Sequence, residues 1–151
     1  WRQRFWRERI QPALCPGTAA LLQQHRDQGD TLVMSTATNR FITELTAQGL
    51  GIEHLIATEC ELGADGRFTG RTQGAPNMRA GKIDRLQAWL AARGQALEGS
   101  EGSECSECSF YSDSMNDLPL LERVREPVVT NGDSRLLAVA ADRGWRTLSL
   151  R

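Results

Sequence analysis

Short apolar runs alternate with stretches of helical periodicity along this chain, and that alternation predicts its elements. Over residues 1–11, Trp1, Phe5 and Trp6 fall to one side and Arg2, Arg4, Arg7 and Arg9 to the other, an amphipathic helix. Pro16-Gly17 opens a second helix that runs to about Gln28 and stops at Gly29. Thr31-Leu32-Val33-Met34-Ser35 is apolar and β-branched, which predicts a buried strand. Polar Thr36-Ala37-Thr38-Asn39 leads into a helix with Ile42 and Leu45 inward, closed by Gly49 or Gly51. Leu55-Ile56-Ala57-Thr58 predicts a second strand. Ala64-Asp65-Gly66-Arg67 is a turn signal inside a small hairpin between Glu61 and Thr72. Ile83, Leu86, Trp89 and Leu90 recur at helical spacing between Lys82 and Arg93. Phe110-Tyr111-Ser112 is a further strand, followed by a leucine-rich helix after Asp117. Pro127-Val128-Val129-Thr130 is another strand. Asp133 or Ser134 caps a helix that ends at Gly144, and Thr147-Leu148-Ser149-Leu150 is an edge strand. Strands alternating with helices imply an α/β fold around a mainly parallel sheet.

Composition narrows the class. A chain of 151 residues suffices for one domain with a core. Its 18 Lys and Arg nearly balance its 19 Asp and Glu, so no polyanion or membrane-surface bias follows. The longest apolar runs are too short to span a bilayer, and no charged-then-apolar leader is present, so a cytoplasmic location is expected. The Arg/Trp N-terminus can stack on nucleic acid, but the neutral chain argues against that partner. His25 and His54 read as surface or packing residues. Cys15, Cys60, Cys105 and Cys108 lack the spacing of a secreted disulfide scaffold. Residues 98–109 repeat Glu-Gly-Ser and then Glu-Cys-Ser, an acidic low-complexity loop. Repeat slippage therefore accounts for Cys105-x-x-Cys108 more simply than a zinc or redox site.

Three places carry candidate chemistry. The strand ending at Ser112 delivers Asp113, and Asp117 follows four residues on, at the start of a helix. Two carboxylates at one sheet edge can hold a divalent cation beside a phosphate, and all-oxygen ligation favours Mg²⁺ over zinc. The same spacing also suits a turn at Asp113 and a helix cap at Asn116 or Asp117. Ser35-Thr36-Ala37-Thr38-Asn39 is a strand-to-helix junction whose N–H groups and hydroxyls suit an anion. It equally suits an ordinary N-cap by Thr38 or Asn39. Lys82 stands at a helix start, where its charge opposes the helix dipole unless an anion is near. Taken singly, it is a solvated surface lysine.

The order of these features, hydroxyl, then lysine, then Ser-Asp-x-x-x-Asp, resembles the haloacid dehalogenase superfamily of phosphohydrolases, in its phosphoserine-phosphatase-like subfamily IB. Thr36-Ala37-Thr38-Asn39-Arg40-Phe41, Ile56-Ala57-Thr58, Asp65-Gly66-Arg67-Phe68-Thr69-Gly70 and Gly81-Lys82 carry the likeness. So do Tyr111-Ser112-Asp113-Ser114, Asn116-Asp117-Leu118-Pro119-Leu120-Leu121, Pro127-Val128-Val129-Thr130-Asn131 and Arg143-Gly144-Trp145. It covers the whole chain except the repeat at 98–109. The resemblance implies a Rossmann-like core and hydrolysis of a small phosphorylated metabolite through an aspartyl-phosphate. It implies that Thr36, or Ser35 one residue earlier, holds the phosphoryl group. Ala37 and Asn116 join it in phosphate binding, Lys82 neutralises phosphoryl charge, and Asp113 and Asp117 ligate Mg²⁺.

The family's first motif, Asp-x-Asp-x-Thr, has no counterpart here. None of Asp27, Asp30, Asp65, Asp84, Asp113, Asp117, Asp133 and Asp142 forms Asp-x-Asp. The resemblance places that central strand, its nucleophile and most of a helical cap upstream of Trp1. Residues 1–15 are then the end of the cap and residues 16–151 the C-terminal part of the core. With its central strand missing, the isolated chain is expected to be poorly stable. The alternative is a truncated, non-catalytic remnant that binds a phosphate ligand or a partner chain. A receiver domain has its acidic cluster on a different strand. Substrate identity and oligomeric state are not legible.

Overall fold

The N-terminal residues are helical, but not with one pitch. In a computed structural model, which describes residues 1–97 and 108–151, α1 (Arg2–Phe5) passes into a π-helical turn, Trp6–Ile10, and a 3-10 turn, Gln11–Ala13. Pro12 offers no N–H, and its ring opposes the carbonyl four residues earlier, so α-helical pitch cannot continue through it. The segment lies on α3 (Arg40–Gly49). Arg2 Nη2 is 2.7 Å from Glu44 Oε2, and the Trp6 indole occupies the space that a Cβ on Gly49 would need. Between them, α2 (Thr18–Asp27) has no buried residue. Arg26 Nη2, in its last turn, donates to the carbonyls of Leu50 at 2.6 Å and Gly51 at 3.2 Å.

These elements belong to the first of two compact units, Trp1–Asn77 and Met78–Arg151. At the centre of the first, β1 (Val33–Asn39) pairs in parallel with β2 (His54–Thr58), and no other strand pairs with β1 among the described residues. The strand begins two residues later than the sequence predicts and runs on through the polar stretch Thr36–Asn39. Register shifts between Thr36, opposite Ala57, and Asn39, opposite Thr58. Asn39 Oδ1 then accepts from the Ile42 N–H at 3.0 Å and starts α3. The helix buries Thr43 and Ala47 rather than the expected Ile42 and Leu45. Small side chains allow the close approach, and the Thr43 hydroxyl donates to the Asn39 carbonyl at 2.9 Å. The predicted hairpin is present, with β3 (Cys60–Leu62) antiparallel to β4 (Phe68–Thr72). Its turn uses Gly66 at φ 74° and an Asp65 carboxylate accepting from the Arg67 N–H.

In the second unit, α4 (Ala80–Ala91) starts two residues before the predicted helix and buries Ile83 and Leu90 together with Lys82. β5 (Ser109–Ser112), β6 (Glu126–Thr130) and β7 (Arg146–Leu148) form a parallel sheet in that order. The leucine-rich helix is shorter than expected: a 3-10 turn, Met115–Asp117, leads into α5 (Leu118–Leu121). Leu120 and Leu121 are nonetheless fully buried. α6 (Ser134–Arg143) is capped by Asp133, which accepts from the N–H groups of Arg135 and Leu136, and closed by Gly144 at φ 66°. Among the described residues, two apolar clusters lie in this unit. One joins Ile83, Leu90, Leu97 and Leu120, the other Leu121, Val129, Leu136 and Ala140. The first unit buries only Ala47, Ile56 and Ala57 among its described apolar residues. Parallel strands alternating with helices are thus as the sequence predicts. Of the repeat at 98–109, residues 98–107, Cys105 included, lie outside the described residues. Cys15 and Cys60 carry reduced thiols, whereas Cys108 is disulfide-bonded.

Candidate functional site

The predicted residues fall into two groups, one in each unit. In the first, Thr36 and the exposed Ala37 lie near the C-terminal end of β1. Thr36 Oγ1 accepts from the Thr38 N–H at 3.2 Å, which leaves the hydroxyl proton to be donated elsewhere. The Thr58 hydroxyl donates to the Ala37 carbonyl at 2.7 Å. Asn39, one of the two candidate caps, is the one that caps α3, while Thr38 spends its N–H on Thr36.

Sequence reasoning missed Asn77, which is fully buried beside this junction. Its Nδ2 donates to Ser35 Oγ at 3.1 Å, to the Thr36 carbonyl at 2.9 Å and to the Ile56 carbonyl at 2.9 Å. Its backbone N–H donates to Thr58 Oγ1 at 3.0 Å. Its Oδ1 has no hydrogen-bond partner among the described residues, and a buried acceptor left so costs about 1–3 kcal/mol. The only local signal, an Asn after Gly74-Ala75-Pro76, reads as a turn.

In the second unit, Lys82 is not the solvated lysine that its isolated position suggests. It is 5% exposed, and its Nζ lies 2.6 Å from Asp117 Oδ1. The Phe110 ring centroid is 5.7 Å from the same ammonium. Asp117 precedes α5 without capping it by its side chain. Its second oxygen accepts from the Ser112 hydroxyl at 2.7 Å, and Ser112 Oγ accepts from the Ser114 N–H at 3.1 Å. The chain Lys82–Asp117–Ser112–Ser114 thus fixes the turn after β5. The structure brings Lys82 and Asp117 together and engages both oxygens of Asp117. Asp113 and Asn116 are exposed at the same turn.

Among the described residues, no group of three or more His, Cys, Asp or Glu side chains could hold a metal ion. Mg²⁺ does not require such a cage, because one or two carboxylates with water and phosphate oxygens complete its octahedron. Asp113 is a carboxylate exposed at that turn. The second carboxylate expected beside it, Asp117, is committed to Lys82 and Ser112. No helix among the described residues is long and apolar enough to cross a membrane.

Comparison with known proteins gives a consistent set of relatives. The haloacid dehalogenase-like hydrolase family profile matches residues 1–122. A histidinol-phosphatase of Neisseria meningitidis serogroup C is 40% identical over 151 residues, all of this chain and 66% of that protein. A phosphoserine phosphatase of Mycobacterium tuberculosis is 34% identical over 149 residues, 99% of this chain and 46% of that protein. Among solved structures, a protein of unknown function from Bordetella pertussis superposes with a TM-score of 0.91 at 42% identity, covering 100% of this chain and 65% of that one. The chain thus spans about two thirds or less of the length of each of these relatives.

Proposed function

The chain belongs to the haloacid dehalogenase-like hydrolase family, and from that premise we propose that it forms the phosphate- and metal-binding part of a Mg²⁺-dependent phosphomonoester phosphatase. The observation that carries the proposal is Lys82, an ammonium buried beside one carboxylate at the edge of a parallel sheet. A buried cation of this kind suits the charge of a bound phosphoryl group better than it suits stability. Thr36 donates its hydroxyl to a phosphoryl oxygen, with Ala37 and Asn116 as further phosphate contacts. Lys82 neutralises charge on the phosphoryl oxygens, and Asp117 positions it. Asp113 ligates Mg²⁺, with Asp117 within the same turn. Bound there, the ion supplies Lewis-acid stabilisation of phosphoryl oxygens. The nucleophile is an aspartate outside these residues, upstream of Trp1. The relatives' names favour a small substrate such as histidinol phosphate or phosphoserine, and a cytoplasmic setting accords with either.

The test is phosphate release from histidinol phosphate, phosphoserine and p-nitrophenyl phosphate by the gene product extended to any in-frame Asp-x-Asp-x-Thr. Mg²⁺-dependent turnover is expected, and Asp113→Asn should lower it about 100-fold or more, a loss of several kcal/mol of charge stabilisation. Wild-type turnover by Asp113→Asn overturns its role. No Mg²⁺-dependent release from any of the three leaves the non-catalytic, phosphate-binding remnant as the better reading.

A further inference from the structure

Asn77 touches the backbone of the proposed phosphate seat while lying outside every motif that suggested it. We propose that Asn77 is a positioning residue for that seat: its amide sets the peptides after Thr36 so that the Ala37 N–H and the Thr36 hydroxyl are presented to an anion. This rests on the phosphate-binding reading of Thr36. The geometry runs through two consecutive carbonyls. Asn77 Nδ2 takes the Thr36 carbonyl at 2.9 Å, and the Thr58 hydroxyl takes the Ala37 carbonyl at 2.7 Å. Thr58 is itself oriented by the Asn77 N–H at 3.0 Å. In a trans peptide the N–H points opposite to the C=O. With the Thr36 carbonyl drawn onto buried Asn77, the Ala37 N–H is directed away from it. With the Ala37 carbonyl drawn onto Thr58, the Thr38 N–H is turned the other way, where it meets Thr36 Oγ1 at 3.2 Å. That contact fills an acceptor site on the Thr36 hydroxyl and leaves its proton to donate.

The chemistry of Asn77 fits this task better than a purely structural one. Three acceptors, Ser35 Oγ and the carbonyls of Thr36 and Ile56, converge on two amide hydrogens. The other end of the same side chain leaves a buried oxygen without a partner among the described residues. A side chain placed for stability alone would not carry that cost. The donor end is what the position requires, and the unpaired acceptor comes with it.

The test is titration of the chain with inorganic phosphate, followed by calorimetry and by NMR shifts of the Ala37 and Thr38 amides. Asn77→Asp keeps the shape and loses the donors. Asn77→Ser is a smaller, neutral second variant. Ala47→Gly, on the buried face of α3, is the control for destabilisation of the same unit. Each Asn77 variant should raise the phosphate Kd about tenfold, and the control should stay within about twofold. In a Thr36→Val background, Asn77→Ser should add less than about twofold, because its effect passes through the same seat. Unchanged affinity in Asn77→Ser, full additivity with Thr36→Val, or equal weakening by Ala47→Gly each overturns the role. Loss of the fold in both Asn77 variants also overturns it, marking Asn77 as a core support. No phosphate binding by the wild-type chain instead overturns the reading of Thr36, and the role of Asn77 with it.

Discussion

An ammonium group taken out of water costs several kcal/mol unless an opposite charge goes with it, and Lys82 is buried with Asp117 2.6 Å away. Removing one partner strands the other. Lys82→Met should therefore lower stability by about 3–5 kcal/mol, read as a fall in the urea midpoint. Replacing both, Lys82→Met with Asp117→Leu, should recover most of that loss, while a phosphate-binding site would lose its cation in either case. Equal destabilisation by the single and double changes would show that the pair is not the cause. The contrast with Asn77 explains what the sequence discloses at this scale. Gly81-Lys82 at a helix start is a local pattern, so its candidacy was legible, although its burial was not. Asn77 acts on Ser35, Thr36 and Ile56, which lie 42, 41 and 21 residues away. No window of sequence contains that arrangement.

Elements were legible where their ends carry chemistry. Asp133 and Gly144 bracket α6 as a cap and a left-handed stop should, and Asp65-Gly66 turns the hairpin. Elements whose limits depend on tertiary contact were less so. β1 extends through Thr36–Asn39 because β2, Thr58 and Asn77 hold polar residues in extended form. α5 is only four residues long, its start taken over by the 3-10 turn at Met115–Asp117. The break of pitch at Trp6–Ile10 follows from Pro12, but the seat of Trp6 on Gly49 could not be read locally. That seat makes a prediction contrary to helix propensity. Gly→Ala in a helix ordinarily stabilises by about 1 kcal/mol. Gly49→Ala should instead lower Tm and shift tryptophan emission to longer wavelength, with no shift when Trp6 is already Phe. A higher Tm with unchanged emission would disprove the seat.

Across the whole molecule, the alternation of strands and helices made the α/β class and the family legible together. The unequal filling of the two units was not, because it depends on which apolar residues end up covered rather than on how many there are. Both described apolar clusters lie in the second unit, while the first relies on Ala47, Ile56 and Ala57 and on hydrogen bonds around Asn77. Regions with few buried apolar contacts open at lower free energy than the rest. The first unit also carries α2, none of whose residues is fully buried and whose last turn is tied by Arg26 to the Leu50 carbonyl. A protease meets these differences as an order of cutting, since cleavage follows the population of locally opened chain. Limited trypsin digestion should therefore nick arginines of the first unit, Arg26 among them, while the strands β5 to β7 remain in one fragment. Earliest cuts at Arg123, Arg143 or Arg146 would reverse that order. Phosphate, if it binds at Thr36, should slow the cut at Arg26 in proportion to its occupancy, which makes the thin core of the first unit a gauge of ligand as well as a point of entry for degradation.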